Sequence, residues 1–135
     1  MWRVESCHVV SCVSLSCTHR GRHIPQPFTP PYVLHTPDIT HIKLSPEDRF
    51  VVLATDGLWD FLTDAEAVEI VHRVYIDSGG NIGTTSQLAS QALIDAVLHK
   101  AAARLGMSVD ELKEVPIGSK RRSKHDDTTA VVVFF

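Results

Sequence analysis

Asp56, followed by Gly57, and the adjacent pair Asp126-Asp127 are the acids whose surroundings suit chemistry. Asp56 comes just after Phe50-Val51-Val52-Leu53-Ala54, a continuous apolar run that reads as a buried strand and stops at Thr55-Asp56-Gly57. Asp126-Asp127 comes just before Thr128 to Phe135, a β-branched and aromatic stretch that reads as a second strand. If the two strands pair antiparallel, the end of one lies beside the start of the other, and the carboxylates meet at one edge of the sheet. Carboxylates brought together repel unless something positive lies between them. A hard divalent cation answers that need, and oxygen ligands favour magnesium or manganese. Each acid also has a plainer reading, and the pattern alone leaves it open. Asp56-Gly57 suits a two-residue hairpin turn, although Leu58-Trp59-Asp60 leads into a capped helix rather than a second alternating strand. Asp126-Asp127 suits a solvated loop.

Other polar groups are less pointed. Lys120, Arg121, Arg122 and Lys124 form a basic run just before Asp126. Such a run can steer a phosphorylated substrate or serve nuclear import, and its plain reading is a solvated loop. His72 and Tyr75, at i and i+3 on a helix, read as edge packing, and Trp59 as a core anchor. Cys7, Cys12 and Cys17 lack the short pair of zinc sites; even with His19 and His23 following, they read as free thiols.

The elements that must position the acids follow from patterning. Ile39 to Leu44 suits a short strand, with Ile42 and Leu44 on one face, and Ser45-Pro46-Glu47-Asp48 suits a turn or a single helical turn. Thr63 and Glu66 form a capping box, with Ala67, Val71 and Val74 as the stripe behind it. Asp77 to Gly83 reads as a loop. Thr84 and Gln87 offer a second capping box, after which Leu88, Ala92, Ala96 and Leu93, Val97 run along one face to about Leu105. Gly106 suits a helix stop, Ser108 and Glu111 open a third, short helix, and Val115 to His125 reads as a polar loop. Strand, strand, helix, helix, short helix, strand is an α+β order.

A chain of 135 residues with 44% apolar and 21% charged residues suits one domain with a modest core. A net charge of −3 points to neither nucleic acid nor an anionic membrane as partner, and no apolar run approaches a membrane span. Residues 1–27 differ in texture and end in Pro25-Gln26-Pro27. They read as a disordered or non-native segment, with a loose likeness to a mitochondrial presequence in Arg3, Arg20, Arg22 and the serines. Thr29-Pro30-Pro31-Tyr32 should be extended, and the folded body is placed at residues 28–135.

Leu53-Ala54-Thr55-Asp56-Gly57-Leu58-Trp59-Asp60 and His125-Asp126-Asp127-Thr128-Thr129 resemble two motifs of the type 2C (PPM-type) metal-dependent protein phosphatases, in the right order and with two amphipathic helices between them. The resemblance covers about Thr29 to Phe135. It implies the C-terminal portion of a β-sandwich flanked by helices, and a protein serine/threonine phosphatase holding two Mg2+ or Mn2+ ions in the complete domain. It also implies that Asp56 and Asp126 are metal ligands, that Asp127 and Gly57 stand beside them and shape the site without being ligands themselves, and that a metal-activated water attacks phosphorus with no phosphoenzyme.

Thr29-Pro30-Pro31-Tyr32-Val33, Ile39-Thr40-His41 and Asp48-Arg49-Phe50 are similar to the pyruvate dehydrogenase phosphatase branch. That narrower likeness implies the pyruvate dehydrogenase complex as partner and the mitochondrial matrix as location, the cytoplasm being expected otherwise. The chain departs from the family in lacking the Asp-Gly-His-Gly-Gly motif and the upstream phosphate-binding Arg of the N-terminal half. The expectation is therefore a fragment that is inactive alone. A pseudophosphatase or scaffold piece stands beside it as the alternative.

Overall fold

The computed structural model describes residues 8–11, 39, 41–79 and 81–135. The three cysteines, the presequence-like arginines and Thr29 to Val33 lie outside the described residues.

A three-stranded sheet in the order β1-β2-β3 is built from β1 (His8–Ser11), β2 (Phe50–Ala54) and β3 (Ala130–Phe134). The apolar run of β2 takes the centre, parallel to β1 and antiparallel to β3. The β2–β3 register sets Phe50 opposite Phe134, Val52 opposite Val132 and Ala54 opposite Ala130. Side chains alternate across a strand, so Phe50, Val52, Ala54 and Val132 share one face, which is buried. Within residues 1–27, read from sequence as lying outside the folded body, the described residues are those of β1, whose pairing with β2 the sequence did not suggest.

The helices cover that buried face. α1 (Asp56–Trp59) is a single turn. α2 (Asp64–Asp77) starts at the expected capping box: the Thr63 hydroxyl accepts from the Glu66 amide at 3.3 Å, and the Glu66 carboxylate accepts from the Thr63 amide at 2.9 Å. Ala67 and Val71 on α2 are wholly buried. α3 (Ile82–Leu105) packs against both α2 and β3. Its buried ridge is Thr85, Ala89, Leu93, Val97 and Ala101, spaced every four residues so that one row of the helix faces inward. One core unites the inner sheet face with Leu58, Leu62, Val71, Leu93 and Val97. α4 (Val109–Glu114) carries the expected Ser108–Glu111 capping box and sits with Leu112 against Ala101 and Ala102 of α3.

Four local expectations are corrected. The described residues from Ile39 to Leu44 form no strand, and Ile42 and Leu44 are exposed, so no packed face draws them into a ladder. α3 starts two residues before Thr84, because the Asn81 side chain accepts from the Gly83 amide at 3.2 Å and so caps the helix earlier. Leu88 is 53% exposed, since the row through Leu93 faces the core instead. The loop from Val115 to His125 contains a helical turn, α5 (Ser119–Arg122). Arg121 fixes this turn by donating from Nε to the Val115 carbonyl at 3.0 Å and from Nη2 to the Lys113 carbonyl. Gly106 ends α3 as expected: its φ of 66° is the left-handed conformation that glycine adopts without strain. Among the described residues no helix is long and apolar enough to cross a membrane.

Candidate metal centre

The antiparallel register brings the C-terminal end of β2 beside the N-terminal end of β3, and the two acidic segments extend from that shared edge. Thr55 fastens them. Its amide donates to the Thr129 carbonyl at 3.1 Å, extending the ladder by one residue. Its hydroxyl donates to the Asp127 carbonyl at 3.1 Å and accepts from the Thr129 amide at 3.0 Å. Thr55 occupies the N-cap position of α1, yet its side chain makes no capping bond there. The hydroxyl is committed to the other strand instead. From sequence Thr55 marks only the end of a strand; its partners are more than 70 residues away and leave no local trace.

Gly57 brings the backbones closer still. A Cβ at this position would lie 2.5 Å from the Asp127 carbonyl oxygen and 2.9 Å from the Thr128 hydroxyl oxygen. No side chain fits there, so this glycine is required by the close approach of the two segments. Leu58, fully buried, anchors α1 in the core, and the Trp59 indole N–H donates to the Ala54 carbonyl at 3.3 Å. Asp56 therefore lies in the first turn of a short helix whose position is fixed on both sides, not in a hairpin turn.

Asp56 Oδ1 accepts from the Gly57 amide at 3.0 Å. Asp126 Oδ1 accepts from the Asp127 amide at 2.8 Å, so each carboxylate is oriented by the next backbone N–H. The Asp126 carbonyl accepts from the Thr128 hydroxyl at 3.1 Å and lies 2.9 Å from His125 Nδ1; a carbonyl only accepts, so Nδ1 carries the proton. Asp127 is the most exposed of the three acids, with its side chain 90% accessible.

The basic run divides by role. Arg121 is held on backbone carbonyls, as described. Arg122 turns to the acids, with Nε 3.3 Å from Asp126 Oδ1 and Nη2 3.7 Å from Asp127 Oδ2. Among the described residues Lys120 and Lys124 form no ion pair with an acid. The sequence placed Arg122 near the acids only through its neighbourhood in the chain; its spacing of four residues from Asp126 is the signal that could have paired them.

The donor set near this edge is carboxylate oxygen, which fits a hard divalent cation. Among the described residues no group of three or more His, Cys, Asp or Glu side chains is gathered for a metal.

Residues 17–104 match the family model described as Protein phosphatase 2C, a span that includes Asp56 and ends before Asp126. The chain is 38% identical over 111 residues to Probable protein phosphatase 2C 67 of Arabidopsis thaliana, a match covering 82% of this chain and 27% of that protein. It is 38% identical over 105 residues to Probable protein phosphatase 2C 40 of the same plant, covering 78% and 20%. It is 39% identical over 104 residues to Protein phosphatase 2C 35 of Oryza sativa subsp. japonica, covering 76% and 15%. The chain spans roughly a quarter or less of the length of these curated relatives. No solved structure gives a significant match.

Proposed function

The chain belongs to the protein phosphatase 2C family, and on that premise we propose that it is part of a metal-dependent protein serine/threonine phosphatase and contributes the Asp56 and Asp126 carboxylates to its metal centre. The observation that carries this reading is the double fastening of the two acidic segments, through Thr55 and through the close approach at Gly57. In this reading Asp56 and Asp126 hold Mg2+ or Mn2+, and Asp127 and Gly57 shape the surroundings. A bound divalent cation polarises phosphoryl oxygens and activates water. The reaction is then transfer of the phosphoryl group of phosphoserine or phosphothreonine to water, releasing phosphate and the free hydroxyl.

The β-sandwich belongs to the same proposal. Leu53, Val131 and Val133 lie on the sheet face away from the helices and are 39–47% exposed, an apolar surface suited to a second sheet. The substrate proposed is the class of phosphorylated proteins. The relatives named above are plant type 2C phosphatases whose names carry no pyruvate dehydrogenase. That complex, and the mitochondrial location tied to it, are not part of the proposal.

With an incomplete ligand set among the described residues, the isolated chain is expected to bind Mn2+ weakly and not to turn over p-nitrophenyl phosphate. Mn2+ binding measured by the loss of the free-ion electron paramagnetic resonance signal tests the reading. Binding lost in both Asp56→Asn and Asp126→Asn supports it. Binding untouched by either substitution refutes it. Turnover abolished by Asp56→Asn would overturn the expectation of inactivity. An inactive scaffold piece is distinguished by failure of the wild-type chain to bind Mn2+ at all.

A further inference from the structure

Arg122 spans both members of the acidic pair. Its Nε faces Asp126 Oδ1 at 3.3 Å and its Nη2 faces Asp127 Oδ2 at 3.7 Å. One guanidinium thus contacts two adjacent carboxylates through two different nitrogens, a geometry a lysine cannot copy. Its backbone is fixed as well: the Arg122 amide donates to the Gly118 carbonyl at 2.9 Å, and the neighbouring Arg121 staples α5 to the end of α4. The charge is therefore delivered to the acids by a short, anchored turn, and Asp126 Oδ1 already accepts a bond from the Asp127 amide. A cation seeking the same oxygen meets an atom with two donors in place.

We propose that Arg122 is a tethered counter-cation that holds the Asp126–Asp127 carboxylates in the absence of metal and must leave Asp126 for a divalent cation to bind there. The proposal rests on the metal-site reading above and adds a residue that competes with the ion. It neutralises the repulsion between the neighbouring acids. It also lowers the apparent affinity of the site, because only the fraction of molecules with Asp126 released can take up the ion. The pair is exposed, with side chains 66% and 42% accessible for Arg122 and Asp126, so its effect is modest and sensitive to salt.

The test is Mn2+ binding to the full 135-residue chain, read by free-ion resonance at low and high ionic strength. Arg122→Gln is expected to tighten binding by about two- to fivefold at low salt, the range an exposed ion pair supports. The gain should shrink as the salt is raised. Arg122→Lys keeps the charge but loses the two-point contact, and its affinity is expected between those of the wild type and the Gln variant. Equal affinity of wild type and Arg122→Gln overturns the proposal. So does a Lys variant identical to wild type, which reduces Arg122 to a distant charge. If Asp126→Asn leaves Mn2+ affinity unchanged, the metal-site reading itself fails, and the proposal with it.

Discussion

Gly57 has no room for a side chain, and the atoms in its way are mainly backbone, the Asp127 carbonyl among them. A Gly57→Ala substitution must therefore push α1 away from the start of β3 or distort one of them. Overpacking of this kind costs about 1–3 kcal/mol, and the distortion falls on the two acids. The variant is expected to unfold at lower denaturant concentration and to bind Mn2+ more weakly than wild type; unchanged binding at unchanged stability would contradict the close approach. Thr55 acts through bonds instead of bulk. Its hydroxyl serves Asp127 and Thr129 at once. The acids were legible in the sequence because they flank two recognisable strands. Thr55 was not legible in this role, because hydrogen bonds across more than 70 residues leave no mark in a local pattern, whereas Arg122 carried a local signal in its four-residue spacing from Asp126.

At the scale of elements, α3 organises the layer over the sheet, touching α2, α4 and β3. Leu93 sits wholly buried in its inward row, whereas Leu88 is exposed. Leu93→Ala is expected to cost about 2–5 kcal/mol in denaturant unfolding, and Leu88→Ala to stay within about 0.5 kcal/mol; equal losses would mean that the helix is rotated. A second link between α2 and α3 is ionic. Lys100 donates to Glu66 Oε1 at 2.5 Å and to the Phe61 carbonyl at 3.1 Å.

The Lys100 bond, followed by those from Thr63, holds the Glu66 carboxyl at about 2, below its ordinary 4.5. A depressed acid favours the ionised folded form. Its contribution is therefore complete above about pH 4.5 and is lost as pH falls from there toward about 2. Glu111, lowered by the Ser108 amide, works in the same direction. Thermal midpoints followed across this window should fall with acid, and Glu66→Gln should flatten the fall. A Gln variant with the wild-type slope would contradict the assignment to Glu66.

Capping boxes and the Gly106 stop were readable because they are local chemistry within four residues. α3 starts earlier than Thr84-x-x-Gln87 suggests because the Asn81 side chain caps it, a competing cap that the capping-box pattern does not reveal. Ile39 to Leu44 looked like a strand on alternation alone, a pattern that needs a neighbour to become one.

On the scale of the whole molecule, helices pack one face of the sheet and, among the described residues, leave the other uncovered. Val51 stands opposite Val133 and Leu53 opposite Val131 on the outer face, with Leu53, Val131 and Val133 exposed to 39%, 47% and 42%. An apolar face of this kind favours association in water. The isolated chain is expected to show concentration-dependent sedimentation, and Leu53→Lys to reduce it; a monomer at all concentrations would argue against an outer face that needs a cover. The α+β order of the chain was legible because element types follow from patterning. The parallel contact of β1 was not, because strand partners depend on the whole fold.

The central claim is that one divalent cation is gripped by segments distant in sequence. Paramagnetic broadening by Mn2+ in the 15N-labelled chain tests it most directly. Trace Mn2+ is predicted to broaden the amide signals of Asp56–Leu58 and of Asp126–Thr128 together, at the same ion concentration, with both sets restored by Asp126→Asn. Broadening of one segment while the other stays sharp would contradict the account.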